Sequence, residues 1–442
     1  MRGTVDDNRR KDAPRVPRRR ALRAAAVGGV ALALAGAACS PAANNTDGGG
    51  ESAGRTTLTF RIWDPVLKPA YQESFEEFEK QQDDIRVRIE VVPWDDYWTK
   101  LPQDVGGGNM ADVFWTNTSN FGVYADNGSL LEIGEELKGK VDDWQQSVVD
   151  LYTRDDKLWG VPQLWDSIAL YYNEDLTNEA NVDPTKLRWD PSGKNDTFLP
   201  ALEKLTTGET YGFNASNDPQ GVYWDFVGSN GGNWQQGDKF ATGDDPKTAE
   251  AMQYLVDLIN EHQVAPPAAD TNNDSERTKN LFLQGKLGLF QSGPYSLKEI
   301  HENAEFEWGI APIPEGPAGR IGVVHGVAAV GYADTEHQEE TYELLRWLGS
   351  AEGQRPIAEG GYAFPGVTSV EDAYIDYWKN EGVDLAPFQE AARGDTFPAP
   401  LGPKINAGAN AMADTIEEIF LGREPVESGL KKAEQLGNDA ME

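Results

Sequence analysis

Seventy acidic side chains follow residue 38, and any two that face each other would make the carboxylate pair of a glycoside hydrolase. That chemistry needs one carboxyl to protonate the leaving oxygen and another to attack or to activate water. A sequence gives no separation between them, so a secreted hydrolase stays open as one function. Other chemistries are closed. The four histidines, His262, His301, His325 and His337, are far apart along the chain, and none belongs to a zinc-protease helix motif. There is no Gly-x-Ser-x-Gly elbow and no phosphate-binding Gly-x-x-x-x-Gly-Lys loop. Asp270, Asn272 and Asp274 have the spacing that opens a calcium loop, but Ser275 stands where the turn needs Gly and Leu281 where a bidentate Glu belongs, so they read as a polar loop. The only cysteine is Cys39, so the body has no cysteine nucleophile, thiolate metal site or disulfide. No metal or other cofactor is expected. Thirteen Trp, fifteen Tyr and sixteen Phe are many for so acidic a chain; some must be core, and the surplus suggests flat apolar faces for a ligand.

Cys39 stands at an informative place. A basic stretch with Arg9, Arg10, Lys11, Arg15, Arg18, Arg19, Arg20 and Arg23 is followed by an uncharged apolar run from Ala24 to Ala38. The run is shorter than the ~20 residues needed to span a bilayer and reads as a secretory signal over residues 1–38. Gly36-Ala37-Ala38-Cys39 resembles the processing site of bacterial lipoproteins, with Gly36 where that pattern prefers Leu. The implied lipidation residue is Cys39; the other reading is a stray cysteine in an ordinary signal. Arg19-Arg20-Ala21-Leu22 resembles a twin-arginine export signal, and both export routes stay open. Residues 39–56 are small, polar and Gly-rich, the composition of a flexible tether. A tether has a purpose only if its start is fixed, which supports acylation at Cys39 and a place on the outer face of the cytoplasmic membrane.

The elements that would carry a site come next. After the signal, 70 acidic against 30 basic residues leave a net charge of −40, which repels nucleic acid and anionic lipid. About 390 residues exceed one core, so two domains are expected. Thr57 to Trp63 and Ile85 to Val91 alternate as strands do, Tyr71 to Gln81 and Trp94 to Val105 have helical spacing, and Asp112 to Trp115 is a short buried strand. This β-α-β-α-β order predicts a mostly parallel sheet with covering helices. Further strands are expected at Leu158 to Pro162, Ile168 to Tyr172, Leu287 to Phe290 and Trp308 to Pro312. Helices are expected at Lys247 to His262, Thr341 to Leu348 and Asn410 to Leu421. Asp183 to Asp196 reads as a loop.

Several segments, in order, resemble the solute-binding proteins of carbohydrate ABC importers, the family of maltose-binding protein. They are Leu58 to Trp63; Ala111 to Trp115 followed by Tyr124 to Leu131; Trp159 to Pro162; and Trp165 to Leu176. Phe282 to Phe290 leads into Ser292-Gly293-Pro294-Tyr295, and Pro312 to Pro317 precedes Gly326 to Val330. The resemblance implies an α/β fold of two doubly wound lobes joined by a hinge, with a ligand cleft between them. Lobe 1 would take residues 57–164 plus 314–365 and lobe 2 residues 166–312 plus 370–442, with hinge crossings near Leu164 to Asp166 and Pro312 to Pro314.

The same resemblance implies a monomer that binds an oligosaccharide, hands it to a permease driven by an ATPase, and performs no chemistry itself. A polyamine ligand on this fold would also suit the acidic surface. A pyranose offers apolar faces to aromatic rings and hydroxyl edges to Asp, Asn or Arg. The implied contacts are Trp63 and Asp64 after the first strand, Trp115 and Asn117 after the third, Trp165 and Asp166 beside the hinge, and Trp224, Tyr295 and Gly326. Tyr295 is the aromatic platform and Asp166 the polar group that stand out. Trp115 and Trp165 have a core reading as well, and Asp166 a capping one. Trp234, Trp94, Tyr97, Arg393 and His325 are weaker candidates, and a lone His325 reads as structural.

Overall fold

The structure is a computed structural model that describes residues 54–272, 274, 276–402 and 404–442. The expected signal, Cys39 and nearly all of the tether lie outside the described residues.

Ten strands matter here: β1 Thr56–Ile62, β2 Ile85–Val91, β3 Val113–Asn117, β4 Val161–Ser167, β5 Ala169–Asn173, β6 Leu289–Ser292, β7 Trp308–Ala311, β8 Gly322–Gly331, β9 Phe364–Pro365 and β10 Thr396–Phe397. In β1 the alternation places Leu58, Phe60 and Ile62 on one buried face. Helix Lys68–Gln81 returns the chain to β2 and buries Tyr71, Phe75 and Phe78, spaced for one helix face. Helix Trp94–Gly107 carries it to β3 and ends at Gly108, whose φ of 71° closes the last turn.

The large sheet runs β9-β4-β8-β3-β1-β2, with β10 beside β8. The sheet is not mostly parallel as expected. Only β1–β2, β1–β3 and the short β8–β10 pairings are parallel. β8 runs against both β3 and β4, and β9 runs against β4. The reason is connectivity: β8 returns from the far half of the molecule and fills the gap between β3 and β4 from the opposite direction. The second sheet, β6-β5-β7, is wholly antiparallel.

The chain leaves the large sheet at Ile168, between β4 and β5, and comes back between Ala311 and Gly322. Leu164 to Asp166 therefore lie inside β4, just before the first crossing. Strand β5 separates two cores. Ala169 and Tyr171 join the cluster that continues through the large sheet, whereas Leu170 joins a second cluster with Trp189, Phe213, Phe226 and Leu255. Opposite faces of one strand serve opposite sides, as the period of two requires.

Candidate functional site

Where β4 and β8 lie side by side, His325 pairs across the ladder with Asp166. Their side chains meet, Nδ1 to Oδ1, at 2.8 Å. His325 is 8% exposed. Burial by itself would lower its pKa, but the charge and hydrogen bond of Asp166, with Asp225 and Asp218 beyond, outweigh burial and hold it above the usual histidine range. Nδ1–H thus donates to Asp166, while the buried Nε2 has no protein partner.

Asp225, on helix Trp224–Ser229, is fixed from two sides: Oδ1 accepts from the Val323 N–H at 2.7 Å and Oδ2 from Gln291 Nε2 at 2.8 Å. It is 1% exposed, and burial pushes its pKa up to about 8 against the opposing pull of the Val323 N–H and His325. Gln291 is held in turn by Asn214, whose amide gives and takes a backbone hydrogen bond at 3.0 and 2.7 Å. Two residues along, the Gly293 carbonyl accepts from the Tyr171 hydroxyl at 2.9 Å. A Cβ on Gly293 would sit 2.2 Å from Tyr295 Cε1, so the tyrosine ring lies directly on that glycine. Its far side is open: Tyr295 is 46% exposed and the only exposed aromatic among the described residues. Its phenol nevertheless has protein on several sides, and that enclosure, with the charges of Asp218 and Asp166, raises its pKa. Asp218 is itself exposed, and its Oδ1 accepts from the N–H groups of Gln220 and Gly221.

A second group of expected contacts lies at the end of β1. Trp63, half-buried at the end of β1, has ring centres of Trp115, Tyr97, Trp94 and Trp98 at 4.8, 5.3, 5.4 and 5.4 Å. Asp64 Oδ1 accepts from the Val66 N–H at 2.8 Å. Burial pushes Asp64 up to about 6, against the Val66 N–H and Lys279. Lys279 sits on helix Arg277–Leu283, ion-paired with Glu276 at 2.5 Å and Glu299 at 2.7 Å, so Asp64 faces charges from the small-sheet half. The halves also touch where Gln220 Nε2 donates to Ser119 Oγ at 3.3 Å and Asn406 Nδ2 to Asn120 Oδ1 at 2.8 Å.

The structure brings Asp166 within electrostatic reach of Tyr295, and it sets Trp63 and Asp64 together at the end of β1. The remaining expected contacts stand elsewhere or are engaged. Trp115 is wholly buried under Trp63. Asn117 caps helix Thr118–Asp126 through the Asn120 N–H, and its Nδ2 is buried without a partner. Trp165 stacks on Phe364 at 4.3 Å and is 4% exposed. Trp224, 6% exposed, packs edge-on against Tyr223 and Trp234. At Gly326 the carbonyl accepts from the Tyr152 hydroxyl at 2.8 Å, and a Cβ would meet Val148 at 2.8 Å, so its backbone is committed to internal packing. Sequence reasoning passed over Asp218, Asp225 and Gln291 and left His325 as structural. Asp225 adjoins Trp224, but nothing in the local pattern marks it, because its partners come from β6 and β8.

Residues 64–355 match the profile of the bacterial extracellular solute-binding proteins, and the chain belongs to that family. Among solved structures it is similar to UspC of M. tuberculosis, with 40% sequence identity, a TM-score of 0.69, and 87% of this chain and all of that one covered. ABC substrate-binding protein Lmo0181 from Listeria monocytogenes, solved in complex with cycloalternan, shares the fold at 20% identity with a TM-score of 0.78, covering 88% of this chain and 99% of that one. Among curated relatives, the maltodextrin-binding protein MdxE of Bacillus subtilis is 27% identical over 324 residues, 72% of this chain and 73% of its own. The fold is thus the two-lobe α/β arrangement of periplasmic binding proteins. Among the described residues no helix is long and apolar enough to cross a membrane.

Proposed function

We propose that this protein captures a sugar, an oligosaccharide by preference, in the cleft between Tyr295 and Trp63 and delivers it to an ABC permease. The observation that carries the reading is Tyr295: an aromatic ring backed by a glycine, open on its other side, with the carboxylates of Asp166 and Asp218 around it. Such a surface takes the C–H face of a pyranose while acids at its rim take the hydroxyls. Relatives named for maltodextrin, arabinooligosaccharides and galactooligosaccharides support the same class. The lobes we assign are 57–164 plus 314–365 and 166–312 plus 370–442. A sugar that touches both favours the closed form, which the permease reads. The protein works as a monomer, anchored at the outer face of the membrane through an acylated Cys39, and turns nothing over.

The test is a thermal-shift screen of the protein with maltose, trehalose, cellobiose, xylobiose, raffinose and spermidine, with release of reducing sugar measured alongside. A ligand at 100 times its dissociation constant adds about 2.7 kcal/mol. Stabilisation by one glycan family without turnover is the expected result. Stabilisation by spermidine alone, or appearance of product, overturns it.

A further inference from the structure

We propose that His325 is a ligand-contacting residue, donating its Nε2–H to an oxygen of the bound sugar, and that Asp166 is the positioning residue that orients it. This rests on the sugar reading and names a contact within it. Three observations carry the inference. First, the ring orientation is fixed: Nδ1 is taken by Asp166 at 2.8 Å across the β4–β8 ladder, so Nε2 points away from that pair. Second, Nε2 is buried and meets no protein acceptor, the only ionisable nitrogen in that state among the described residues. A buried donor left unmade is costly, and native folds keep few of them without a reason. Third, two exposed groups lie within electrostatic reach of the pair. Tyr295 senses Asp166 and Asp218, Asp218 senses His325, and both Tyr295 and Asp218 are exposed.

The charged groups facing the ring are Asp166 on β4, Asp225 on helix Trp224–Ser229 and Asp218 on the turn before it. Asp166 and Asp218 favour the imidazolium, and Asp225 does so only where it is ionised; the imidazolium makes Nε2 a charge-assisted donor. Sugar hydroxyl and ring oxygens accept such a bond; an ammonium does not. His325 therefore counts against a polyamine at this position, and it makes binding depend on pH. The cation exists below the folded pKa, so affinity should fall as pH rises through it.

The experiment measures dissociation constants for the stabilising glycan of the maltose, trehalose, cellobiose, xylobiose and raffinose panel, from pH 5.5 to 8.5. The proteins are wild type, His325→Gln, Asp166→Asn and Tyr295→Ala. We expect His325→Gln to weaken binding at least about tenfold at the acid end and to flatten the pH profile. Asp166→Asn keeps an acceptor for Nδ1–H but removes a charge, so its profile should move to lower pH. A wild-type constant for His325→Gln beside a lost one for Tyr295→Ala overturns this inference and leaves the sugar reading standing. No binding of any panel glycan to wild type overturns the sugar reading and this inference with it. Should His325→Gln not fold, the nitrogen resonances of wild-type His325 decide: glycan must shift Nε2 more than Nδ1, and an unmoved Nε2 overturns the proposal.

Discussion

Replacing Asp225 with Asn should make the protein more stable at high pH and change the slope of its stability with pH. Asp225 is 1% exposed and holds its proton up to about pH 8 in the folded state, whereas an unfolded Asp releases it near pH 3.9. Between those values the folded state binds more protons than the unfolded one, so stability falls as pH rises. At ~1.36 kcal/mol per pH unit, the full span from 3.9 to about 8 amounts to about 5.6 kcal/mol. An amide oxygen at this position still accepts from the Val323 N–H. What it loses is one bond from Gln291 Nε2, a cost of about 1 kcal/mol that does not vary with pH. Urea denaturation of both proteins at constant ionic strength measures the gap. It should widen in favour of Asp225→Asn by about 2.7 kcal/mol between pH 5 and pH 7 and level off above pH 8. A gap that stays constant from pH 5 to pH 9 would show that Asp225 is ionised in the fold and refute the reasoning.

Three further predictions follow from single contacts. Arg61→Ala should cost about 2 kcal/mol in denaturant titration, because the buried guanidinium bridges Glu90 at 3.0 Å and Asp104 at 2.6 Å; the figure lies below that for a fully buried pair because those partners remain 34% and 32% exposed. Tyr295→Ala should weaken glycan binding by about 1–2 kcal/mol in calorimetry while leaving Tm within a few degrees, since the ring is exposed and packs mainly on Gly293. Gly366→Ala should destabilise by about 1–3 kcal/mol, because its Cβ would lie 2.5 Å from the Pro162 backbone in β4, and a loss under 0.5 kcal/mol would mean that the strand yields.

Element type was legible where the period was clean. The alternation of Leu58, Phe60 and Ile62 and the spacing of Tyr71, Phe75 and Phe78 mark their elements in the sequence, and the structure has them there. Strand direction was not legible. Val327 to Val330 reads the same whether β8 runs with its neighbours or against them, because a period of two carries no polarity. The site divides similarly. Ser292-Gly293-Pro294-Tyr295 places an aromatic ring beside a residue without a side chain, a local pattern, and the ring lies on that glycine. Trp115 and Trp165 look the same in sequence as Trp63, yet they are packed inside, because whether an indole faces core or cleft depends on what folds over it. The His325–Asp166 bond joins residues 159 positions apart through sheet register, and no local window contains it.

The crowding of indoles around Trp63 has an optical consequence. Five aromatic rings lie with successive centres 4.8 to 5.4 Å apart, at steep interplanar angles. Electronic transitions of rings this close and this skewed couple, and coupled transitions give intense near-ultraviolet circular dichroism. Trp63 is the member beside Asp64, which feels the charge of Lys279 on helix Arg277–Leu283. A change in the separation of the two halves therefore reaches a built-in chromophore array, and the intrinsic spectrum of the unlabelled protein should report lobe movement.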